Sequence, residues 1–533
     1  MIQNKELEKW NILFQKNKHI KNLLKKIEKL DISKTNFFND LKVCDHAIFG
    51  KYDVGYGSVN AITIKKIIEI FCEIIDYKNN NYFLISSDGS EENTKIIDDV
   101  LHLGNRNIKF ITFAKYQGYD KKFISSIIKK IKPAGAIHIS KSIFQKNLIN
   151  INLYGQNGNK ITNIILEGII KQIDKNVDNV IYEKEKNISF LNNDLLIKLF
   201  VEKISELFPK SNSIKKTKIA ISNRSKGITK ILSKLIGSQD FSYTINNKIK
   251  NNNISILDTK YLSDTKIKRY FKKDIKFAKQ RKANFLIAFN QEGTQSFLFI
   301  INNSKVIYLN PNLIAMIFLH DFYNSLALTN KNLPNVFISS NENLNPNLEK
   351  IVKKYKIYFK KIRDNEFISK DYLLLFWNDY NQFVFGEKVN EEFTIYHLLI
   401  KIISIVDYYN NQYNSINALT NKLIRMYGDF EKEFKYFISN DINDFNKKIE
   451  YKFKETKNKK RIEELKKIEL VENEDIEQEL WQISLKNNSR IFIKYNKISQ
   501  KIHISLKNTK TYNIIKDIFI HYENKKIIRK ILK

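Results

Sequence analysis

Residues 134–162 read AGAIHISKSIFQKNLININLYGQNGNKIT, and this stretch decides the fold. Ala136, Ile137 and Ile139 form an apolar run of strand character that ends in a small hydroxyl pair, Ser140 and Ser142. A second apolar alternation leads to Tyr154 and Gly155, then to Asn157-Gly158, a dipeptide that tolerates the positive φ angles of a tight turn. The pattern predicts two strands joined by a hydroxyl-bearing loop.

The rhythm recurs on both sides. Upstream, Trp10, Leu13, Phe14, Ile20, Leu23, Leu24 and Ile27 mark one or two amphipathic helices, and Ile62, Ile64, Ile67, Ile68, Ile70 and Phe71 mark another over 60–77. Residues 81–87 (NYFLISS) read as a strand ending at Asp88-Gly89, 97–103 as helix, 108–114 (IKFITFA) as strand and 123–131 as helix. Downstream, strands are expected at 216–222, 283–290, 333–339, 357–360 and 372–377, with helices over 345–355 and 396–408. Strands alternating with helices of about 10–15 residues argue for α/β units around mixed or parallel sheets. The C-terminal part differs. Residues 447–474 are highly charged and read as helix, followed by short strands at 481–485, 490–495 and 501–505 and a closing helix from about 512. The expected fold class is α/β: three tandem α/β domains with mixed sheets plus a small C-terminal α+β domain. The domains are expected over 1–190, 191–305, 306–430 and 431–533.

With 533 residues and 43% hydrophobic content, the chain can bury several cores and is not a disordered polymer. No run of about 18 apolar residues predicts a membrane span. The N-terminus is charged throughout and lacks the apolar core of a signal peptide. Cys44 and Cys72 have no metal-type spacing and fit a reducing compartment, so a cytoplasmic protein is expected. The net charge is +34, yet Lys, Asn and Ile rise together along the whole length while Gly (15) and Pro (5) are scarce. An AT-rich genome produces this pattern, and the lysines alternate with apolar residues as solvated helix faces. No nucleic-acid recognition motif accompanies the charge, so nucleic acid is not the expected partner.

The 134–162 stretch resembles the phosphoserine loop of the α-D-phosphohexomutase superfamily, AGIMITASHNPKEYNGIKVYGEDGAQIT, and the N-terminal Trp10 helix and length resemble its long phosphopentomutase-like branch. Phe49-Gly50, Gly55, Gly57 and Asn60 are similar to that branch's FGTAGLRG opening, with Gly55 at the arginine position. Asp88 falls in a segment similar to I-G-Y-D-x-R-x-x-S, with Ser90 at the arginine. The resemblance implies a heart-shaped, four-domain arrangement and places Ser142 at the phosphoryl-carrying nucleophile. The flanking histidine and asparagine are replaced by Ile143 and Phe144, which neither accept a proton nor bind the transferred group.

Three further landmarks follow in order. Residues 286–301 (LIAFNQEGTQSFLFII) are similar to the D-P-D-A-D-R metal loop, with Asn290, Glu292 and Thr294 where three aspartates ligate Mg²⁺, and Gln295 at the arginine. Mg²⁺ prefers carboxylates in near-octahedral geometry, and one carboxylate in place of three is a poor match. Residues 375–393 resemble the sugar-binding loop G-F-E-E-S-Y-G, with Trp377, Asn378 and Asp379 at the Glu-Glu-Ser triplet and Tyr380 retained. Residues 484–495 (SLKNNSRIFIKY) correspond to the phosphate clamp R-P-S-G-T-E-P-K. There Lys486, Asn487, Asn488, Ser489 and Arg490 can hold an anion, although the Ser-Gly-Thr backbone nest is absent.

The expectation is a degenerate mutase, a pseudoenzyme with a structural or protein-binding role as an assembly subunit or partner of an active paralogue, and with no cofactor. The alternative is a divergent Mg²⁺-dependent mutase of hexose or pentose 1-phosphates that uses Ser142 as carrier and Glu292 as residual ligand. A third reading is a basic protein associated with nucleic acid or the ribosome.

Overall fold

The computed structural model describes residues 2–14, 18–28, 37–44, 46–75, 77, 82–103, 108–142, 148–177, 180, 188–206, 208, 216–223, 225–247, 264–289, 295–302, 306–329, 336–340, 346–361, 372–377, 383–385, 395–411, 415–427, 429–438, 447, 451, 462–467, 477–487, 489–496, 501–510, 520, 522–524 and 526. Four sheets follow one another along the chain. Two compact units result, one of them Met1–Val201 with Ser225–Ile231, the other holding the three later sheets.

The first sheet contains β1 (Lys42–Cys44), β2 (Ala47–Lys51), β3 (Tyr82–Ser87), β4 (Lys109–Phe113), β5 (Gly135–Lys141), β6 (Leu148–Gly155) and β7 (Ile188–Leu191), in the order β1-β2-β6-β5-β3-β4-β7. β4, β3 and β5 are parallel neighbours and need crossovers, which the helices Glu91–His102 and Lys121–Ile131 supply. β6 runs antiparallel to β5, and the turn beyond it is made at Gly158, whose φ of 76° suits a residue without a Cβ. From β3 the chain goes first to β4 on one side and then to β5 on the other, so strand order reverses there. In open α/β sheets, ligands bind outside the carboxyl ends of strands at such a reversal.

One face of this sheet (Phe83, Ile85, Ile137, Ile139, Ile149, Ile151) packs into an apolar core with the helix Ala61–Ile74 and the N-terminal helix Ile2–Leu13. Asn60 opens the first of these helices with a reciprocal cap: its Oδ1 accepts from Thr63 N, and its own N–H donates to Thr63 Oγ1, both at 3.1 Å. Trp10 is fully buried, with ring centroids 5.4 to 5.9 Å from those of Phe37, Tyr56 and Phe14.

The second sheet, β8 (Lys218–Ser222), β9 (Ser242–Asn246), β10 (Phe285–Phe289), β11 (Ser296–Ile301) and β12 (Val306–Leu309), has the order β12-β11-β10-β8-β9. β8 is parallel to β9 and β10, whereas β11 returns antiparallel. The third, β13 (Val336–Ser340), β14 (Tyr358–Lys361), β15 (Tyr372–Trp377) and β16 (Phe383–Phe385), runs β14-β13-β15-β16 with β16 antiparallel. The fourth is wholly antiparallel: β17 (Asp429–Ile438), β18 (Ile462–Lys467), β19 (Glu477–Leu485), β20 (Arg490–Asn496) and β21 (Lys501–Lys510), ordered β17-β21-β20-β19-β18. This gives three α/β layers with mixed sheets and a C-terminal α+β part. Strand pairing carries the second sheet to Leu309 and starts the fourth at Asp429.

One expectation is corrected. Residues 462–467 are not helical: Ile462–Lys467 is an edge strand that sets Leu465 opposite the buried Ile483. The helix-forming composition yields to the apolar pairing that the sheet offers. Among the described residues, no helix is long and apolar enough to cross a membrane.

Candidate functional site

Ser142 immediately follows β5, at the carboxyl end of that strand and beside the reversal of strand order. It is buried, and its N–H donates to Leu148 O at 2.8 Å, which closes the mouth of the β5–β6 loop. Ile143 and Phe144 lie outside the described residues.

Sequence reasoning left the work of Asp88 unassigned. Asp88 follows β3 and is buried. Its Oδ1 accepts from Ser90 N (2.9 Å) and Asn93 Nδ2 (3.0 Å), and its Oδ2 accepts from Lys141 N at 2.8 Å. Its own N–H donates to Ile139 O at 3.0 Å. The carboxylate therefore ties the end of β3 to the end of β5 one residue before Ser142, and both oxygens are taken up in holding that backbone. The Asp88-Gly89 strand ending and the likeness to I-G-Y-D-x-R-x-x-S marked its position in the sequence but not these bonds.

Three backbones meet beside this carboxylate. A Cβ on Gly118 would fall on Asp88 C and O and Gly89 N, and one on Gly227 would fall on Gly118 O. Nothing in the spacing of these glycines announced the approach.

The imidazole nearest to Ser142 along β5 is His138, and it is held for structure. It is buried, with Nδ1 3.1 Å from Ser86 Oγ, a hydroxyl that donates to Ile137 O. Burial, aided by Lys121 and Lys160, pushes its pKa down to about 3. A histidine neutral in the folded state but protonated near its ordinary pKa when unfolded lowers stability as pH falls below about 6.5. Between pH 7 and pH 5, His138 is expected to cost about 2 kcal/mol of unfolding free energy. His138→Gln should flatten that acid limb, as read from urea midpoints across the range.

The other expected site residues are distributed as follows. Asn290, Glu292 and Thr294 lie outside the described residues, although the hairpin that carries them is set by Phe289 opposite Ser296. Asn378 and Asp379 also lie outside them, between β15 and β16, where Trp377 pairs with Phe383. Lys486 is exposed in the β19–β20 turn, and Asn488 lies outside the described residues. Asn487 braces this turn: its Oδ1 accepts from Ser489 N at 3.0 Å, and its Nδ2 donates to Asn524 Oδ1 at 2.9 Å. Arg490 opens β20, and its Nη2 donates to Glu349 Oε1 at 3.1 Å. The sequence placed Arg490 near an anion but did not reveal the internal carboxylate opposite it.

Comparison with solved structures places this fold. It is similar to a phosphoglucomutase/phosphomannomutase family protein from Burkholderia thailandensis, with a TM-score of 0.60, 11% identity, and coverage of 93% of this chain and 98% of that one. A putative phosphomannomutase from Thermus thermophilus matches with a TM-score of 0.60 and 8% identity over 92% of this chain and 100% of that chain. The open form of the Paramecium phosphoglucomutase pp63/parafusin matches with a TM-score of 0.57 and 13% identity, covering 85% and 87% of the two chains. No family model and no curated protein matches the sequence. In fold, the chain resembles these phosphoglucomutase and phosphomannomutase structures over 85–93% of its length.

Proposed function

We propose that this phosphohexomutase-fold chain is a pseudoenzyme that acts through protein contacts, as an assembly subunit or as the partner of an active mutase in the cytoplasm. One observation carries the reading. The carboxylate of Asp88 at the end of β3 has both oxygens engaged by Ser90, Asn93 and Lys141, so it is committed to holding the backbone that leads into Ser142. The sequence adds Ile143 and Phe144 where phosphoryl transfer needs polar groups. Such transfer rests on positioning and charge neutralisation, and removing those groups removes the source of rate.

The donor set Asn290, Glu292 and Thr294 does not fit Mg²⁺, since a single carboxylate leaves the charge of the cation largely unmatched. Incubation with glucose 1,6-bisphosphate and Mg²⁺ followed by intact-mass measurement is expected to show no phosphate-sized gain. A gain that Ser142→Ala abolishes would establish the divergent mutase in its place.

A further inference from the structure

Residues 264–282 (DTKIKRYFKKDIKFAKQRK) carry nine Lys or Arg in nineteen positions, against 91 in 533 for the whole chain. They contain the short helix Asp264–Tyr270 and the helix Lys272–Gln280. The second helix packs Ala278 and, partly, Ile275 and Phe277 into the apolar core beneath the second sheet. Asp274, its single acid, belongs to that inner side: it is fully buried, and Asn246 Nδ2 donates to its Oδ1 at 3.4 Å. The outer face is left to lysine. Lys272, Lys273, Lys276 and Lys279 are exposed, and the helical repeat gathers them into an arc of about 120° that runs about 10 Å along the axis. Among the described residues, no carboxylate pairs with any of the four.

This arrangement is unfavourable for the helix by itself. Lys272 and Lys273 stand in its first turn, where the partial positive charge of a helix N-terminus disfavours cations. Lys276 has like-charged neighbours at Lys272, Lys273 and Lys279, three or four residues away, which also destabilises. A negatively charged partner relieves both effects. Its chemistry follows from the rest of the segment. Single-stranded nucleic acid is held by stacking on open aromatic rings. The two rings here are engaged, Tyr270 against Phe271 at 4.8 Å and Phe277 beneath the Arg281 guanidinium at 5.6 Å. A helix lying in a membrane surface inserts exposed apolar side chains. Among the described residues, no large apolar side chain is exposed between Tyr243 and Tyr358. A cationic stripe one helix wide, repeating each turn, instead matches carboxylates that recur at the same interval on another helix.

We propose that the stripe Lys272–Lys273–Lys276–Lys279 is the docking surface for an acidic, helical protein segment with carboxylates about one turn apart. The inference rests on the reading of this chain as one that acts through protein contacts, and it adds where the contact is made and the charge of the partner.

Titration of the full chain at physiological ionic strength tests the proposal. The probe is a synthetic helical peptide bearing Glu at i, i+4 and i+7, with a DNA duplex and phosphatidylserine vesicles in parallel. The triple variant Lys272→Gln/Lys276→Gln/Lys279→Gln should weaken the peptide about tenfold. The control Lys21→Gln/Lys25→Gln/Lys26→Gln removes the same charge from exposed positions on the helix Lys18–Glu28 and should leave the affinity nearly unchanged. Equal losses in the two variants, no binding of the peptide, or a larger loss for the duplex or the vesicles overturns the proposal. Gln keeps the helix propensity and removes the repulsion, so the stripe variant should melt at or above the wild-type temperature. Melting below it would make the lysines structural and would also overturn the stripe. A phosphate gain on Ser142 in the intact-mass measurement would overturn the pseudoenzyme reading and leave this titration unchanged, so the two failures are distinguishable.

Discussion

Gly118→Ala is expected to destabilise the first unit by about 3 kcal/mol or more, enough to remove its cooperative unfolding transition. The added Cβ would overlap Asp88 C and O and Gly89 N, all of them backbone atoms that no rotamer change can move. The main chain would have to shift at the point where Asp88 holds Lys141, and the Ser142 loop would shift with it. Near-UV circular dichroism and urea unfolding read the effect. Gly168→Ala is the matched control. Gly168 sits in the helix Asn163–Lys171 with nothing within 4 Å of an added Cβ, so alanine there should stabilise by about 0.5–1 kcal/mol. A mild Gly118→Ala phenotype would mean that the three backbones do not meet as described.

Trp10→Ala carries the second large effect, a loss of about 3–5 kcal/mol. The indole is fully buried among Phe14, Phe37 and Tyr56, and the same cluster contains the Tyr56 hydroxyl donating to Glu6 Oε1 at 2.6 Å. Glu6 Oε1 also accepts from Val177 N at 3.1 Å, so the N-terminal helix is stapled to a segment distant in sequence. Removing the ring leaves a cavity between three aromatic neighbours and loosens that staple. Ile12, on the same helix and 70% exposed, gives the contrast: Ile12→Ala should change the urea midpoint little.

The α/β part was legible because its strands are apolar on both faces and its helices keep a 3.6-residue period. Tyr82–Ser87, Lys109–Phe113 and Tyr372–Trp377 each fall within or at the bounds read from the sequence. The fourth sheet was less legible. Ile462–Lys467 carries charged residues of strong helix propensity, and only its partner strand makes it extended. Asp429–Ile438 alternates charges with aromatics and pairs with a strand far along the chain, a contact that no local window contains.

The candidate site divides in the same way. The position of Ser142 followed from the strand–hydroxyl–strand pattern. The engagement of Asp88 and the Glu349–Arg490 pair depend on segments brought together by the sheets, so one sequence window could not display them.

Phosphorus NMR of the full-length chain at high concentration, with glucose 1-phosphate, Mg²⁺ and catalytic glucose 1,6-bisphosphate, puts the central claim to its most direct test. A fold without transfer chemistry predicts no glucose 6-phosphate beyond the protein-free rate. Conversion that rises with protein concentration and disappears in Ser142→Ala would contradict it.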